Sequence, residues 1–259
     1  MKKIVAFVTT FMLFSGIAFA STPAAFNATP RDVVEYVKKF DGKAGVYAKN
    51  LKTGKSLSYN EDVIFPTAST SKLVVALAVY KYLYPTAGSD KRYYYDQQVA
   101  QMITVSDNDS FYEMLDEVAA RRPDAFKRVA DDLKLKRTLI HDDNAFRRYQ
   151  YHSVTTPYEM AKVLEAICNS KYLSKPKATE FQDYLANTIF NDEIPRFMET
   201  RVMHKVGELD NILCDVGIVD DGKDQILISV YTSTNRTGSY ASDYIANTAA
   251  KAYNALRRK

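Results

Sequence analysis

An α+β architecture, an antiparallel sheet flanked by helices with an all-helical segment inserted into it, is the fold to expect of this chain. Three observations carry that expectation. Strand-type runs occur toward both ends of the chain and not in its middle. A long block from Thr67 to about Cys168 has mostly helical periodicity. Amphipathic helices stand near the start and the end, suited to pack on a sheet.

Taken in order, the leading segment MKKIVAFVTTFMLFSGIAFA has the layout of a secretory signal. Lys2 and Lys3 supply positive charge, Ile4 to Ile17 the apolar stretch, and Ala18-Phe19-Ala20 a small-x-small cleavage site, so cleavage is expected after Ala20. The apolar run is shorter than the roughly 18–20 residues of a membrane span, and no basic stop-transfer cluster follows it. No cysteine stands at the cleavage point to take a lipid. The expected product is a secreted or periplasmic protein of residues 21–259 without a stable membrane anchor. Pro30 to Phe40 has Val33, Val37 and Phe40 at helical spacing. Gly45 to Leu51 and Ser56 to Tyr59, joined by Lys52-Thr-Gly-Lys55, read as a hairpin. The helical block is interrupted at Pro85-Thr-Ala-Gly88, at Arg122-Pro123 and by an irregular segment from Ile140 to Thr156. Met203 to Gly207, Ile212 to Val219 and Gln225 to Thr232 read as three strands, with Asp220-Asp-Gly-Lys223 as the turn between the last two. A closing helix from about Ser242 to Leu256 carries Tyr244, Ile245, Thr248, Ala252 and Leu256 as its buried stripe. The expected organisation is one domain, with an α/β lobe of residues 21–64 and 201–259 around a helical lobe of residues 65–200.

Composition narrows the function. Without Lys2 and Lys3 the formal charge falls from +4 to +2, too small and too evenly spread to point to nucleic acid or an anionic membrane. Two cysteines, Cys168 and Cys214, do not make a disulfide framework; paired or free, the sequence leaves open. Three histidines and two cysteines show no metal-ligand spacing, and the few glycines form no phosphate-cradling loop. No metal and no cofactor is therefore expected, and the protein is read as a monomer.

Chemistry concentrates at three places. In FPTASTSKLVVALAVYKYL, Ser69 and Lys72 share one helix face, so the lysine can reach the serine oxygen. A serine hydroxyl needs a base to become a nucleophile, and desolvation would lower a lysine's pKa enough to supply one. Taken alone, the same residues read as a helix cap followed by a surface lysine. Second, Ser106-Asp107-Asn108 can relay a proton and hold an amide, although Ser and Asp are also ordinary cap residues. Third, His204-Lys205-Val206-Gly207 starts a strand. There a lysine can attract a carboxylate and a glycine admits a substrate backbone; a charged edge strand would look similar.

Together, Ser-x-x-Lys, Ser-Asp-Asn and Lys-x-Gly in this order form the motif set of class A β-lactamases and penicillin-binding proteins, and the chain clearly resembles the class A β-lactamase family. Phe65 to Lys72 is similar to its nucleophile segment, Met102 to Asn108 to its second motif, Thr155-Thr-Pro157 to the helix start after its Ω-loop, and Tyr47 to Tyr59 to its first hairpin. The resemblance spans essentially the whole mature chain and implies the β-lactamase/transpeptidase-like fold. It implies Ser69 as the acylated nucleophile, Lys72 as base or relay, Ser106 as proton donor to the leaving nitrogen, and Lys205 as positive charge near a substrate carboxylate. Asn108 would hold a substrate amide, and the backbone N–H groups of Ser69 and Glu208, the latter following Gly207, would form the oxyanion hole.

Departures from the family pattern are as informative. The family's Ω-loop glutamate, which activates the deacylating water, has no counterpart in Ile140 to Ser153; Asp142 or Asp143 is the available carboxylate. The asparagine that braces it is Tyr112 here. Val206 stands where a hydroxyl residue usually binds the substrate carboxylate, and Glu208 adds a negative charge that Arg201 could offset by reaching the cleft. The resemblance implies a serine hydrolase opening β-lactam amides with slow deacylation, closer to class-A-like hydrolases of unassigned role than to dedicated antibiotic-resistance enzymes. The alternatives are a penicillin-binding-protein-like D-Ala-D-Ala peptidase acting on cell-wall peptides, and a penicillin-binding or sensing module without turnover.

Overall fold

The computed structural model describes residues 26–258, so the expected signal segment lies outside the described residues. Helix α1 (Pro30–Val37) opens with a capping box: Thr29 Oγ1 accepts the Asp32 N–H while the Asp32 carboxylate accepts the Thr29 N–H. It stops before Phe40, because the chain must turn at Gly42 (φ +143°) to enter the sheet.

Strands β1 (Lys43–Asn50) and β2 (Ser56–Tyr59) form the expected hairpin. Strands β5 (Arg201–Leu209), β6 (Ile212–Asp220) and β7 (Gln225–Ser233) are each longer than their sequence pattern marks. The sheet order is β2-β1-β7-β6-β5, antiparallel throughout. The early hairpin thus docks on the last strand, with Lys43 opposite Ser233 and Asn50 opposite Ile226, and β5 is left at an edge.

Period-two alternation splits the sheet between two cores. Ile226, Ile228 and Val230 face α1 and α9 (Gly238–Leu256), packing with Val33, Val37 and Ile245. Leu227 and Tyr231 face the other way, onto α2 (Ser71–Ala78) and α7 (Pro157–Cys168), among Leu73, Leu77, Met160 and Leu164. Helix α9 starts earlier than Ser242 because Thr237 Oγ1 caps it, accepting the Tyr240 N–H.

The helical block is completed by α3 (Ser89–Thr104), α4 (Asn108–Arg121), α5 (Ala125–Leu133), α6 (Asp143–Tyr149) and α8 (Lys175–Ala186). A two-residue pair, β3 (Phe65–Pro66) with β4 (Val154–Thr155), ties the irregular segment to the stretch before Ser69. Glu159 on α7 anchors the same segment from beneath. Its buried carboxylate accepts the backbone N–H of Lys136 (2.6 Å) and Arg137 (3.0 Å) and the Thr138 hydroxyl (2.7 Å). Cys168 and Cys214 are both free thiols. Among the described residues no helix is long and apolar enough to cross a membrane.

Candidate active site

Ser69 lies not on the helix proper but in the 3-10 turn Ala68–Thr70 that leads into α2. Ala68 takes φ +45°, a left-handed conformation that a non-glycine residue adopts at a cost of order 1–3 kcal/mol. The turn is held from the sheet side. Thr70 Oγ1 donates to Thr67 O (2.6 Å), so the buried Tyr231 hydroxyl must donate to Thr70 Oγ1 (2.8 Å). Every residue of α2 is buried, and Lys72 therefore projects its amine inside the protein rather than into water.

That amine is the centre of the site. Lys72 Nζ lies 2.6 Å from Ser106 O, 2.7 Å from Asn108 Oδ1, 3.1 Å from Ser106 Oγ and 3.2 Å from Ser69 Oγ. In a neutral amine the two N–H bonds serve the two nearest oxygens, and the lone pair is left for the Ser69 hydroxyl proton. Burial brings Lys72 from 10.5 down to about 8, against the pull of Asp107, which favours the charged form. Ser106 is presented by the turn before α4, with φ +59°, while Asp107 caps that helix by accepting the Ser110 N–H at 2.7 Å. Cap and site therefore coexist in the same three residues.

Lys205 reaches Ser106 from the sheet, donating to Ser106 Oγ (2.9 Å) and to Val206 O (2.8 Å). It is fully buried; burial first, and then the Lys72 charge, bring it from 10.5 to about 7, against the opposing influence of Asp215. Gly207 lets the edge strand press onto Ser69. A Cβ at this position would lie 2.8 Å from Ser69 N and 3.0 Å from both Ala68 Cβ and Cys214 Sγ. The Gly207–Glu208 peptide is thereby carried beside the Ser69 N–H, and Glu208 borders the cavities on both sides of Ser69.

Ser69, Lys72, Ser106, Asn108, Lys205, Gly207 and Glu208 are thus brought together, whereas Asp142 and Asp143 are not. Asp142 Oδ1 accepts the Ala145 N–H (2.9 Å) as the cap of α6, and the residue lines a separate cavity with Phe126 and Leu135. Asp143 is exposed in the first turn of α6, 4.0 Å from His152 Nδ1. The groups that the irregular segment does bring to the Ser69 cleft are His141, Tyr151, His152 and Ser153. Arg201 does not turn to the cleft either; it binds Asp183 on α8 at 2.7 Å. Tyr112, at the bracing position, is exposed and lines the cleft.

Other features of the site have no local sequence signal. The Phe190 ring lies over Lys205 Nζ, 5.6 Å from its centroid, and the Phe111 ring over Lys72 Nζ at 5.7 Å. Behind Lys205, the buried His204 Nδ1 meets both carboxylate oxygens of Asp215 at 3.0 Å, and Asp215 also accepts the Ile194 N–H at 3.0 Å. That pair ties β5 to β6 and to the chain just past Phe190.

The sequence matches the model of the beta-lactamase enzyme family over residues 29–85 and 84–256. No curated protein matches it. Among solved structures, PBP-A superposes with a TM-score of 0.73 at 21% identity, over 87% of this chain and 94% of that one. A point mutant of PBP-A, solved as an acyl-enzyme complex with penicillin G, gives the same values. An ancestral class A β-lactamase gives 0.75 at 19% identity, over 88% and 99%. A β-lactamase from Sphaerobacter thermophilus gives 0.72 at 18%, over 86% and 95%. The fold is that of the β-lactamases and transpeptidases, and the chain belongs to the beta-lactamase enzyme family.

Proposed function

We propose that the protein is a serine hydrolase that opens amides through an acyl-enzyme on Ser69, and that it hydrolyses β-lactam amides slowly. The observation that carries this reading is the Lys72 amine, lowered to about 8 and held 3.2 Å from the Ser69 hydroxyl by two shorter contacts. Near neutral pH a useful fraction of that amine is unprotonated. It takes the Ser69 proton as Oγ attacks the carbonyl carbon, a role that typically contributes 10²–10⁴-fold to rate. The Ser69 and Glu208 N–H groups receive the oxyanion. As the C–N bond breaks, Ser106 gives its proton to the nitrogen and is resupplied from Lys72, 3.1 Å away. Asn108 uses Oδ1 to hold Lys72, which leaves its NH₂ group for the substrate. We place this activity outside the cytoplasm, on the strength of the signal-like segment.

Release is the slow step in this reading, since neither Asp142 nor Asp143 borders the Ser69 cleft. The same observation favours a second reading, a penicillin-binding peptidase that cleaves D-Ala-D-Ala and holds its β-lactam adducts. The deciding experiment is intact mass against time after mixing with benzylpenicillin, with Ser69→Ala as control. A serine-dependent adduct that clears as substrate disappears supports hydrolysis. A persistent adduct together with D-Ala-D-Ala cleavage supports the peptidase. Absence of any serine-dependent adduct, with this or any other acyl donor, defeats both.

A further inference from the structure

The two cavities beside Ser69 differ in lining. One, of about 330 Å³, contains Asn108 and is walled by Phe111, Tyr112, Tyr151 and Leu209, with Glu208 at the border it shares with the other. The other, of about 270 Å³, contains Ser106 and is bordered by Asp192, Glu193 and Glu208, with Phe190 and Val206. Because Ser106 is the proton donor to the leaving atom in the acyl-enzyme reading, on which the present inference rests, the second cavity receives the leaving half of a substrate.

The charge presented there is negative. No lysine or arginine lines that cavity. The two nearby lysines are buried and engaged: Lys72 is held by Ser106 O and Asn108 Oδ1, and Lys205, beneath the Phe190 ring, donates to Ser106 Oγ and Val206 O. Val206 has no hydroxyl to offer a carboxylate. Asp192 and Glu208 are exposed, and among the described residues neither is paired with a cation. The arginines near in sequence to these residues, or to Gly238, where a Cβ would lie 3.8 Å from Glu208 Oε1, are paired elsewhere: Arg196 with Asp243, Arg201 with Asp183 and Arg236 with Asp41. Glu193 contributes less: it is buried, accepts from Ser242 Oγ at 2.7 Å, and burial pushes its carboxyl up. What makes this a binding site is the nucleophile; the carboxylates decide which charge enters it.

We propose that the preferred leaving half carries a cationic ammonium group, and that Asp192 and Glu208 select it over the carboxylate that a penicillin presents. Selection then has both an attractive and a repulsive part, as strong discrimination usually requires. Slow reaction with β-lactams follows at the acylation step as well as at release.

The test uses three thioesters that share a phenylacetylglycyl acyl half. Their leaving thiols are thiocholine (cation), 3,3-dimethylbutanethiol (neutral, same shape) and 3-mercaptopropionate (anion). In each, Ser69 Oγ bonds to the carbonyl carbon, the C–S bond breaks, and the serine proton returns through Lys72 and Ser106 to the sulfur as free thiol. Thiol release gives kcat/KM for each, divided by that thioester's uncatalysed hydrolysis rate because the ammonium group makes thiocholine the intrinsically better leaving thiol. The expected order is cation, neutral, anion, with at least about tenfold between the extremes, equivalent to about 1.4 kcal/mol. Salt should narrow the gap, because the charges are partly exposed. The Asp192→Asn/Glu208→Gln double variant should bring the three within about twofold, a Coulombic loss with little change of shape. The ratio is formed within one protein, so any loss of folded fraction cancels. Equal rates for the three, preference for the anion, or a ratio unchanged in the double variant overturns the proposal. Thiol release that Ser69→Ala does not abolish overturns the acyl-enzyme reading itself, and this inference with it.

Discussion

Gly207→Ala is the sharpest test of how β5 meets Ser69. The added methyl would sit 2.8 Å from Ser69 N, 0.6 Å inside the 3.4 Å at which ordinary contact begins. Two of its three neighbours, Ser69 N and Ala68 Cβ, belong to the turn whose φ of +45° already limits its adjustment, and the third is the buried Cys214 Sγ. The strand and the turn must therefore separate by several tenths of an ångström, which moves one or both oxyanion donors off their target. Losing one such donor costs about 10²–10³ in rate, or about 2.7–4 kcal/mol. Overpacking of this kind costs about 1–3 kcal/mol in stability, so the variant should stay folded if the parent has ordinary stability. The assay is the rate of adduct formation on Ser69 by intact mass, alongside the thermal midpoint. Acylation within about threefold of the parent, when a displaced donor should cost about a hundredfold, would refute the placement of the Gly207–Glu208 peptide at the oxyanion.

Other outcomes follow from the same geometry. Lys72→Met should slow acylation by about 10²–10⁴-fold while leaving Ser69 in place. In the parent, acylation should rise with pH through a half-maximal point near pH 8, as Lys72 loses its proton, the two amines titrating as a pair. Because Lys205 is lowered to about 7 from 10.5, the unfolded chain binds more protons than the folded one above pH 7. The thermal midpoint should therefore rise between about pH 7 and 8.5, before the ordinary thiol value of 9.0 brings the buried Cys214 into play in the opposite sense. Lys205→Met should flatten that rise. Tyr231→Phe removes the hydrogen donated to Thr70 Oγ1 and should cost about 1 kcal/mol in urea unfolding.

The sheet and its order of elements were legible because their signals are local. A period of two marks Ile226, Ile228 and Val230, turn residues mark Asp220 to Lys223, and the hairpin is announced by Thr53-Gly54. The residues that cluster around Lys72 were legible for the same reason, as three short motifs each complete within a few residues. What escaped is set by distance along the chain or by side-chain direction. Thr70 and Tyr231 are 161 residues apart, and nothing near either marks the contact. A carboxylate in the irregular segment could be counted but not aimed. Asp142 is spent on a helix N-terminus that forms only because Asp143 to Tyr149 coil into α6. Arg201 likewise follows the pleat of β5 toward Asp183 rather than toward the cleft.

Two ammonium groups that both reach one hydroxyl present a problem of charge in a dry site. Lys72 and Lys205 each lie within 3.1 Å of Ser106 Oγ, and the charge on Lys72 opposes charge on Lys205. Placing full charge on both costs desolvation that no carboxylate in direct contact offsets. Acylation as derived from this geometry avoids that cost in its balance, though not at every instant. The proton removed from Ser69 and the proton delivered to the leaving group are equal in number, so the amines end the step with the charge they had at its start. The pocket can therefore stay closed around its lysines through acylation, without admitting water or a counter-ion to compensate them.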